Sequence, residues 1–361
     1  MKITAALFSL AFAFTSFAQS VQGVLIDRQS NEAIPFAHVK LGASVSVTNF
    51  EGEFIIQRPS VADSILSISF VGYHSREINI DVQRDYKIYM EPAVMLLEPV
   101  RVLTGDVLMG RVFSKMLTNY DQENQRMTSY YKEKLSSDDS LCYLAEGVMD
   151  IFRPSWFSKE EVKINPLRTR KKVIREINED QVTLIGGHAF DMIVPSVWRK
   201  DSFLDTKNRD AYEFIYEGKM AFGEHDIYLV SFQPKSKKGY VSGRLYVEDE
   251  TYAIIKMEYE PQVSKKSFWS WVRWTEEYEQ VEGVYQLTRV SYDGEWLEYG
   301  KILDYSALLV NNKMATVRDA PEMKAGIRNN GVFFEEASYD FTGSFWTGFN
   351  YIKLTRDEKD L

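Results

Sequence analysis

The sequence predicts a mainly β protein: a small β-sandwich at the N-terminus, then a larger curved antiparallel sheet, a half-barrel with one or a few helices. Three observations carry this expectation. Strand-length runs rich in β-branched and aromatic residues recur along the chain, and fixed turn chemistry separates them. Tyrosine (21) and phenylalanine (22) far outnumber histidine (4). The 361 residues exceed the usual size of a single core, so two folded units are expected.

Residues 1–18 read as a signal peptide. Lys2 is followed by an apolar run from Ala5 to Phe17, and Ser16-Phe17-Ala18 forms a small-x-small cleavage site. The run is too short to span a bilayer, and no later window reaches eighteen consecutive apolar residues, so no transmembrane segment is expected in the mature chain. Cleavage after Ala18 exposes Gln19 rather than cysteine, which argues against a lipid anchor there. The expected location is exported, periplasmic or associated with an outer membrane.

Residues 19–92 form the predicted sandwich. VQGVLID, AHVKL, GEFII, ILSISF, EINIDV and YKIYM are its strand candidates. Leu66, Ile68 and Phe70 alternate with Ser67 and Ser69, the period of a half-buried strand. Asn49-Phe50-Glu51-Gly52 supplies a tight turn, with Gly52 free to take positive φ, and Gly72 does similar work. Four pieces in order carry a resemblance: Gly23-Val24 with Asp27; Ile34-Pro35-Phe36-Ala37-His38-Val39; Thr48-Asn49-Phe50-Glu51-Gly52-Glu53-Phe54; and Phe70-Val71-Gly72-Tyr73. They resemble the carboxypeptidase regulatory-like module, which implies a seven-stranded transthyretin-like, Ig-like sandwich acting as an accessory. Asn49 stands where the family often has Asp, and either side chain can close an Asx turn.

Residues 93–105 read as a linker, and residues 106–361 as the β-rich second unit. The spacing of Leu108, Val112, Met116 and Leu117 predicts a helix over Val107–Asn119 with Asp106 as N-cap. From Thr128 onward come long strand candidates joined by short turns, among them SFWSWVRWTEEYEQV, as in one sheet curling around a filling. Residues 158–210 are charged, contain Pro166 and Pro195, and are expected to hold loops and short helices. The succession FIYEGKMAF–GEHDIYLVSFQPK–GYVSGRLYVEDETYAIIKMEYE is similar to the curved sheets of periplasmic lipoprotein-carrier-like proteins. With Phe345-Trp346 and Asn350 near the end, the arrangement resembles uncharacterised Gram-negative envelope proteins. Leu97 to Gly105 resembles the stretch that follows the same module in TonB-dependent receptors, so a docking strand competes with a plain connector.

Composition excludes some roles. A formal charge of −9 argues against nucleic acid as a partner. The single Cys142 cannot form an internal disulfide and is expected to be buried. His38, His74, His188 and His225 lie far apart with no His-x-x-x-His, so neither a metal nor a cofactor is expected. No Gly-x-Ser-x-Gly elbow or phosphate loop occurs, and Gly186-Gly187-His188 reads as a turn. Glu276 and Glu277 are adjacent in a strand candidate and would point to opposite faces. A non-enzymatic role follows, with no catalytic residues assigned.

Two constellations remain. Phe268, Trp269, Trp271, Trp274 and Trp296 could line a concavity for an apolar ligand, lipid or peptide, with Trp269 and Trp271 on one strand face and Trp274 on the other. Phe333, Phe334, Phe345 and Trp346 could join them. Core packing explains the same rings. Arg168, Arg170, Lys171, Lys172 and Arg175 could contact an anionic lipid surface, or be an ordinary solvated face. The expected function is an adaptor sandwich plus a β unit that binds an apolar ligand or a protein. The alternatives are an interaction subunit of an outer-membrane or TonB-dependent complex and, more distantly, a hydrolase.

Overall fold

The computed structural model describes residues 20–42, 44–58, 60, 62–80, 85–93, 95–96, 103–155, 157–158, 160–174, 189–199, 202–222, 225–319, 321–323, 326–327, 333–338, 345–348 and 352–359. The expected signal peptide, Arg175, the Gly186-Gly187-His188 turn and Asn350 lie outside them, as does most of the expected linker.

Seven strands form the sandwich: β1 (Ser20–Asp27), β2 (His38–Leu41), β3 (Ser44–Val47), β4 (Glu53–Gln57), β5 (Ile65–Ser69), β6 (Arg76–Asn79) and β7 (Asp85–Met90). One sheet runs β4-β1-β7 and the other β3-β2-β5-β6. β1 pairs antiparallel with β4 and parallel with β7. Alternate side chains, including Leu25, Val39, Leu41, Phe54, Leu66, Ile68 and Ile88, meet between the sheets as one apolar core. At the predicted turn, Asn49 Oδ1 accepts the N–H groups of Glu51 (3.0 Å) and Glu53 (2.9 Å), and Gly52 takes φ 71°. β3, whose SVSV sequence carries little apolar signal, supplies the strand that the six sequence candidates lacked.

The second body is an eleven-stranded sheet. Its long strands are β9 (Gln125–Ser137), β10 (Ser140–Arg153), β11 (Lys163–Val173), β12 (Tyr212–Phe222), β13 (His225–Pro234), β14 (Val241–Glu248), β15 (Ile254–Pro261), β16 (Trp271–Val281), β17 (Val284–Glu298) and β18 (Lys301–Thr316). With the short β8 (Met95–Leu96), their order is β11-β10-β9-β18-β17-β16-β15-β14-β13-β12-β8, so the sheet does not close on itself. β11 is a correction to the expected loop. Its charged residues pair in register with β10 over most of the length of both strands, so ladder hydrogen bonds override its weak apolar pattern.

Helix α1 (Gly105–Asn119) packs on β12 and β17 from the concave side, burying Leu108, Met109 and Val112. The N-cap is Thr104, two residues earlier than Asp106: its Oγ1 accepts the Val107 N–H at 3.3 Å. Asp106 sits in the first turn, where its charge complements the helix dipole. Leu117 faces solvent, 60% exposed, although Phe113 and Met116 of the same helix pack against the core. A second helix, α2 (Ala189–Ile193), and 3-10 turns at Ser196–Trp198 and Arg209–Ala211 complete the filling. Met192, Ile193 and Trp198 of these elements, with Phe203 and Leu204 between the two turns, join the same core as α1.

Gly105 makes the entry of α1 possible. A Cβ there would stand 2.0 Å from the Phe214 carbonyl oxygen on β12. Gly105→Ala is expected to destabilise the fold by about 1–3 kcal/mol, read from the midpoint of urea unfolding. An unchanged midpoint would mean that α1 can withdraw from β12 at no cost.

Candidate functional site

The sandwich sits on the convex, outer face of the large sheet, and their junction holds the most chemically elaborate surface among the described residues. The geometry begins at Thr48. Its Oγ1 accepts the Ala37 N–H (2.9 Å) and donates to the Ile34 carbonyl (2.7 Å), holding the loop between them. Phe36 in that loop takes φ 60°, a left-handed conformation that strains a bulky residue, and its ring lies 5.0 Å from the Arg289 guanidinium on β17. Phe50, at the next turn, receives Lys134 Nζ at 4.3 Å. Val47 enters an apolar cluster with Tyr130, Val148, Leu308, Val310, Trp346 and Ile352. Trp346 comes from the short helix α4 (Phe345–Gly348), which follows α3 (Phe333–Glu336). The last helix, α5 (Arg356–Lys359), is tied down by Glu358, which accepts Lys132 Nζ at 2.5 Å.

An ionic group fastens the junction. His38 Nε2 hydrogen-bonds Glu277 Oε2 at 2.7 Å, and the ring makes an ion pair with Glu279, Nδ1 to Oε1 2.6 Å; both carboxylates are on β16. Glu277 is clamped from its other side by Arg289, whose Nε donates at 2.9 Å while Nη2 reaches Oε1. Burial by itself would lower the His38 pKa, but Glu279 and Glu277 outweigh it and push it up to about 10. Burial would raise Glu277, but Arg289 and His38 hold it well below the usual carboxylate range. His38 is therefore an imidazolium at neutral pH.

Beside this group opens a cleft of about 540 Å³. The sandwich contributes Ser67, Ser69, Phe70, Val71 and Arg76, and the large sheet Ile255, Tyr278 and Tyr285. His38, Glu277 and Glu279 lie along it, and His225, Glu248 and Glu250 stand at its other end. On the far side of Phe70 a second groove of about 590 Å³ includes Arg244, Lys256, Arg273 and Asp293. There, burial pushes the Asp293 carboxyl up to about 6 against the pull of Lys134, Arg289 and Arg273.

The residues singled out from sequence are placed differently. Trp274 (8% exposed) and Trp296 (3%) belong to the concave core with Tyr259, Tyr292 and Tyr305. The β16 strand begins only at Trp271, because a turn closes first: the Ser267 N–H donates to the Ser264 carbonyl at 2.9 Å and the Trp269 N–H to Ser267 Oγ at 3.2 Å. Trp269 consequently tucks inward onto Trp296 (5.1 Å between centroids) over Gly294, while Trp271 stays on the outside, so the two do not share a face. Phe268 is 43% exposed and edges onto Trp296. Phe333 and Phe334 pack on Tyr131 and Tyr143, whereas Phe345 and Trp346 lie at the sandwich junction, so the aromatic set is divided between the two faces.

The basic segment is divided too. Arg168 is exposed and Lys172 half-buried, but Arg170 is buried against Glu146 and stacks over Trp346 at 4.3 Å. Lys171 points to the opposite face, where its Nζ donates to the Phe334 carbonyl at 2.7 Å. Strand alternation sends Lys171 to the face opposite Arg168, Arg170 and Lys172, and Arg170 is buried, so these four cations do not form one charged surface. The same rule governs Glu276 and Glu277. Glu276 points into the core, accepting the Ser196 N–H (2.9 Å) and the hydroxyls of Ser196, Tyr259 and Tyr278.

Residues 21–102 match the CarboxypepD_reg-like domain family. No curated protein matches the chain. Among solved structures, a DUF1329 family protein from Desulfovibrio piger is 9% identical, with 60% of this chain and 95% of that chain covered and a TM-score of 0.31. MucB in the Pseudomonas aeruginosa MucA/MucB complex is 8% identical over 59% of this chain and 98% of that one, with a TM-score of 0.17. A putative membrane-associated protein of unknown function from Bacteroides fragilis is 9% identical, covering 81% and 97%, with a TM-score of 0.17. No helix among the described residues is long and apolar enough to cross a membrane.

Proposed function

We propose that this is an exported, non-catalytic binding protein of a Gram-negative cell envelope, whose ligand, a lipid or peptide with an apolar portion, occupies the cleft between sandwich and sheet. The carrying observation is the cleft itself. Its walls come from both bodies and combine apolar surface (Phe70, Val71, Ile255) with a few convergent polar groups, the usual make-up of a ligand site at a domain junction. The concave face, by contrast, is filled by α1, α2 and the turns that follow, so the rings of Trp274 and Trp296 serve packing there. The sandwich acts as the adaptor that supplies one wall.

Native mass spectrometry of protein purified from envelope tests this reading. A bound apolar molecule is expected, with occupancy falling roughly tenfold or more in Ser69→Trp, whose indole would fill the cleft. Equal occupancy in a folded Ser69→Trp variant would overturn the assignment, as would a wild type that retains nothing. Screens for peptidase and esterase turnover are expected to stay at background.

One observation favours a second reading. β6 ends the four-stranded sheet, and its outer edge pairs with no other strand among the described residues. An extended segment of an outer-membrane partner could add to that edge. Crosslinking from position 77 to a membrane barrel, with an empty cleft, would support this subunit role.

A further inference from the structure

We infer that His225, Glu248 and Glu250 form a site for a divalent transition-metal ion of the zinc class at the end of the cleft. The sheet brings the three together. His225 opens β13, and register pairing sets Ile227 opposite Glu248 at the end of β14, so the imidazole reaches the hairpin turn that carries Glu250. His225 Nδ1, a Glu248 carboxylate oxygen and a Glu250 carboxylate oxygen all lie within 4.8 Å of one another.

The distances are wider than those of hydrogen-bonded pairs and match the spacing of ligands around one ion. His225 Nδ1 stands 3.4 Å from Glu248 Oε1 and 3.7 Å from Glu250 Oε2. Charge-assisted hydrogen bonds close to about 2.7–2.9 Å, and His38, in the same cleft, makes one to Glu277 at 2.7 Å. Two ligands of one tetrahedral ion, each about 2.1 Å from it, sit about 3.4 Å apart. The His225 cluster keeps that wider spacing.

Glu248 provides a second, independent indication. Its side chain is only 7% exposed. Its Oε2 is taken by the Thr251 N–H (2.8 Å) and Thr251 Oγ1 (2.5 Å). Its Oε1 accepts no hydrogen bond among the described residues and lies 3.4 Å from the His225 imidazole. An oriented, buried carboxylate with one oxygen held and the other directed into a cluster is how outer hydrogen bonds prepare a metal ligand. The neighbouring Asp226 and Asp249 are both engaged by Lys219, at 2.6 and 3.1 Å, which keeps them out of the cluster. One imidazole and two carboxylates suit zinc and its neighbours better than calcium or magnesium, and three protein ligands leave a coordination position open toward the cleft.

The inference does not require the cleft to hold an organic ligand. Its test is calorimetric titration of metal-free full-length protein with Zn2+, with Co2+ titrated in parallel by visible absorption. One equivalent of Zn2+ is expected to bind with a dissociation constant in the micromolar range or below, and Co2+ to show the intense bands of low coordination. His225→Ala and Glu250→Gln, both at exposed positions, should each weaken binding about tenfold or more, while His74→Ala leaves it unchanged. Absence of stoichiometric Zn2+ binding, or equal binding by the His225 and Glu250 variants and the wild type, would overturn the site.

Discussion

Replacing Arg289 with methionine is expected to destabilise the protein by about 3–5 kcal/mol, the cost of leaving a buried carboxylate without its principal cation. Arg289 and Glu277 are 3% and 5% exposed, so water cannot take over the lost contacts. The partner substitution His38→Asn removes the sandwich's share of the same group and alters pH dependence. The His38 pKa rises from 6.5 to about 10 on folding. Its stabilising contribution is therefore complete below about pH 6.5 and is lost as pH climbs through about 10. Glu277, held below 4.5, contributes in the opposite sense: fully above that value, and less as pH falls. The junction should be firmest between these limits. Urea midpoints measured from pH 5 to pH 10.5 should decline on the alkaline side in the wild type and less in His38→Asn. Parallel declines would show that His38 carries no charge in the fold.

Trp296→Ala is expected to cost about 3–5 kcal/mol, because its ring fills space among Trp269, Phe268 and the concave core that its neighbours cannot close. Trp271→Ala, at an exposed position on the same hairpin, should stay within about 0.5 kcal/mol of the wild type. Chemical denaturation gives both values. A stable Trp296→Ala protein that had lost a co-purifying apolar ligand would return the binding site to the concave face and refute its assignment to the junction.

Much of the architecture was legible from residues alone. Leu66, Ser67, Ile68 and Ser69 announce a half-buried strand in four residues, and Asn49 with Gly52 announces the turn before β4, because side-chain alternation and φ preference act within a few bonds. The opposite facing of Glu276 and Glu277 follows from the same period. Other features were missed where a local signal was absent or misled. The Arg168–Lys172 run reads as a surface patch until β11 pairs with β10 and sends Arg170 and Lys171 to different faces. Ser267 turns the chain before β16, so the spacing of Trp269 and Trp271 says nothing about a shared face.

The sequence by itself determined the β class, the identity of the regulatory-like sandwich and the presence of one capped helix leading into a larger sheet. Each of these is written in short-range periodicity and turn chemistry. The tertiary structure alone decided that the sandwich docks on the outside of that sheet and that α1 fills its inside. It also decided that His38 meets Glu277 across 239 residues of chain, and that His225 meets Glu248 and Glu250 across a strand pair. These outcomes depend on which distant side chains compete for one buried position, and no window of neighbouring residues contains both competitors.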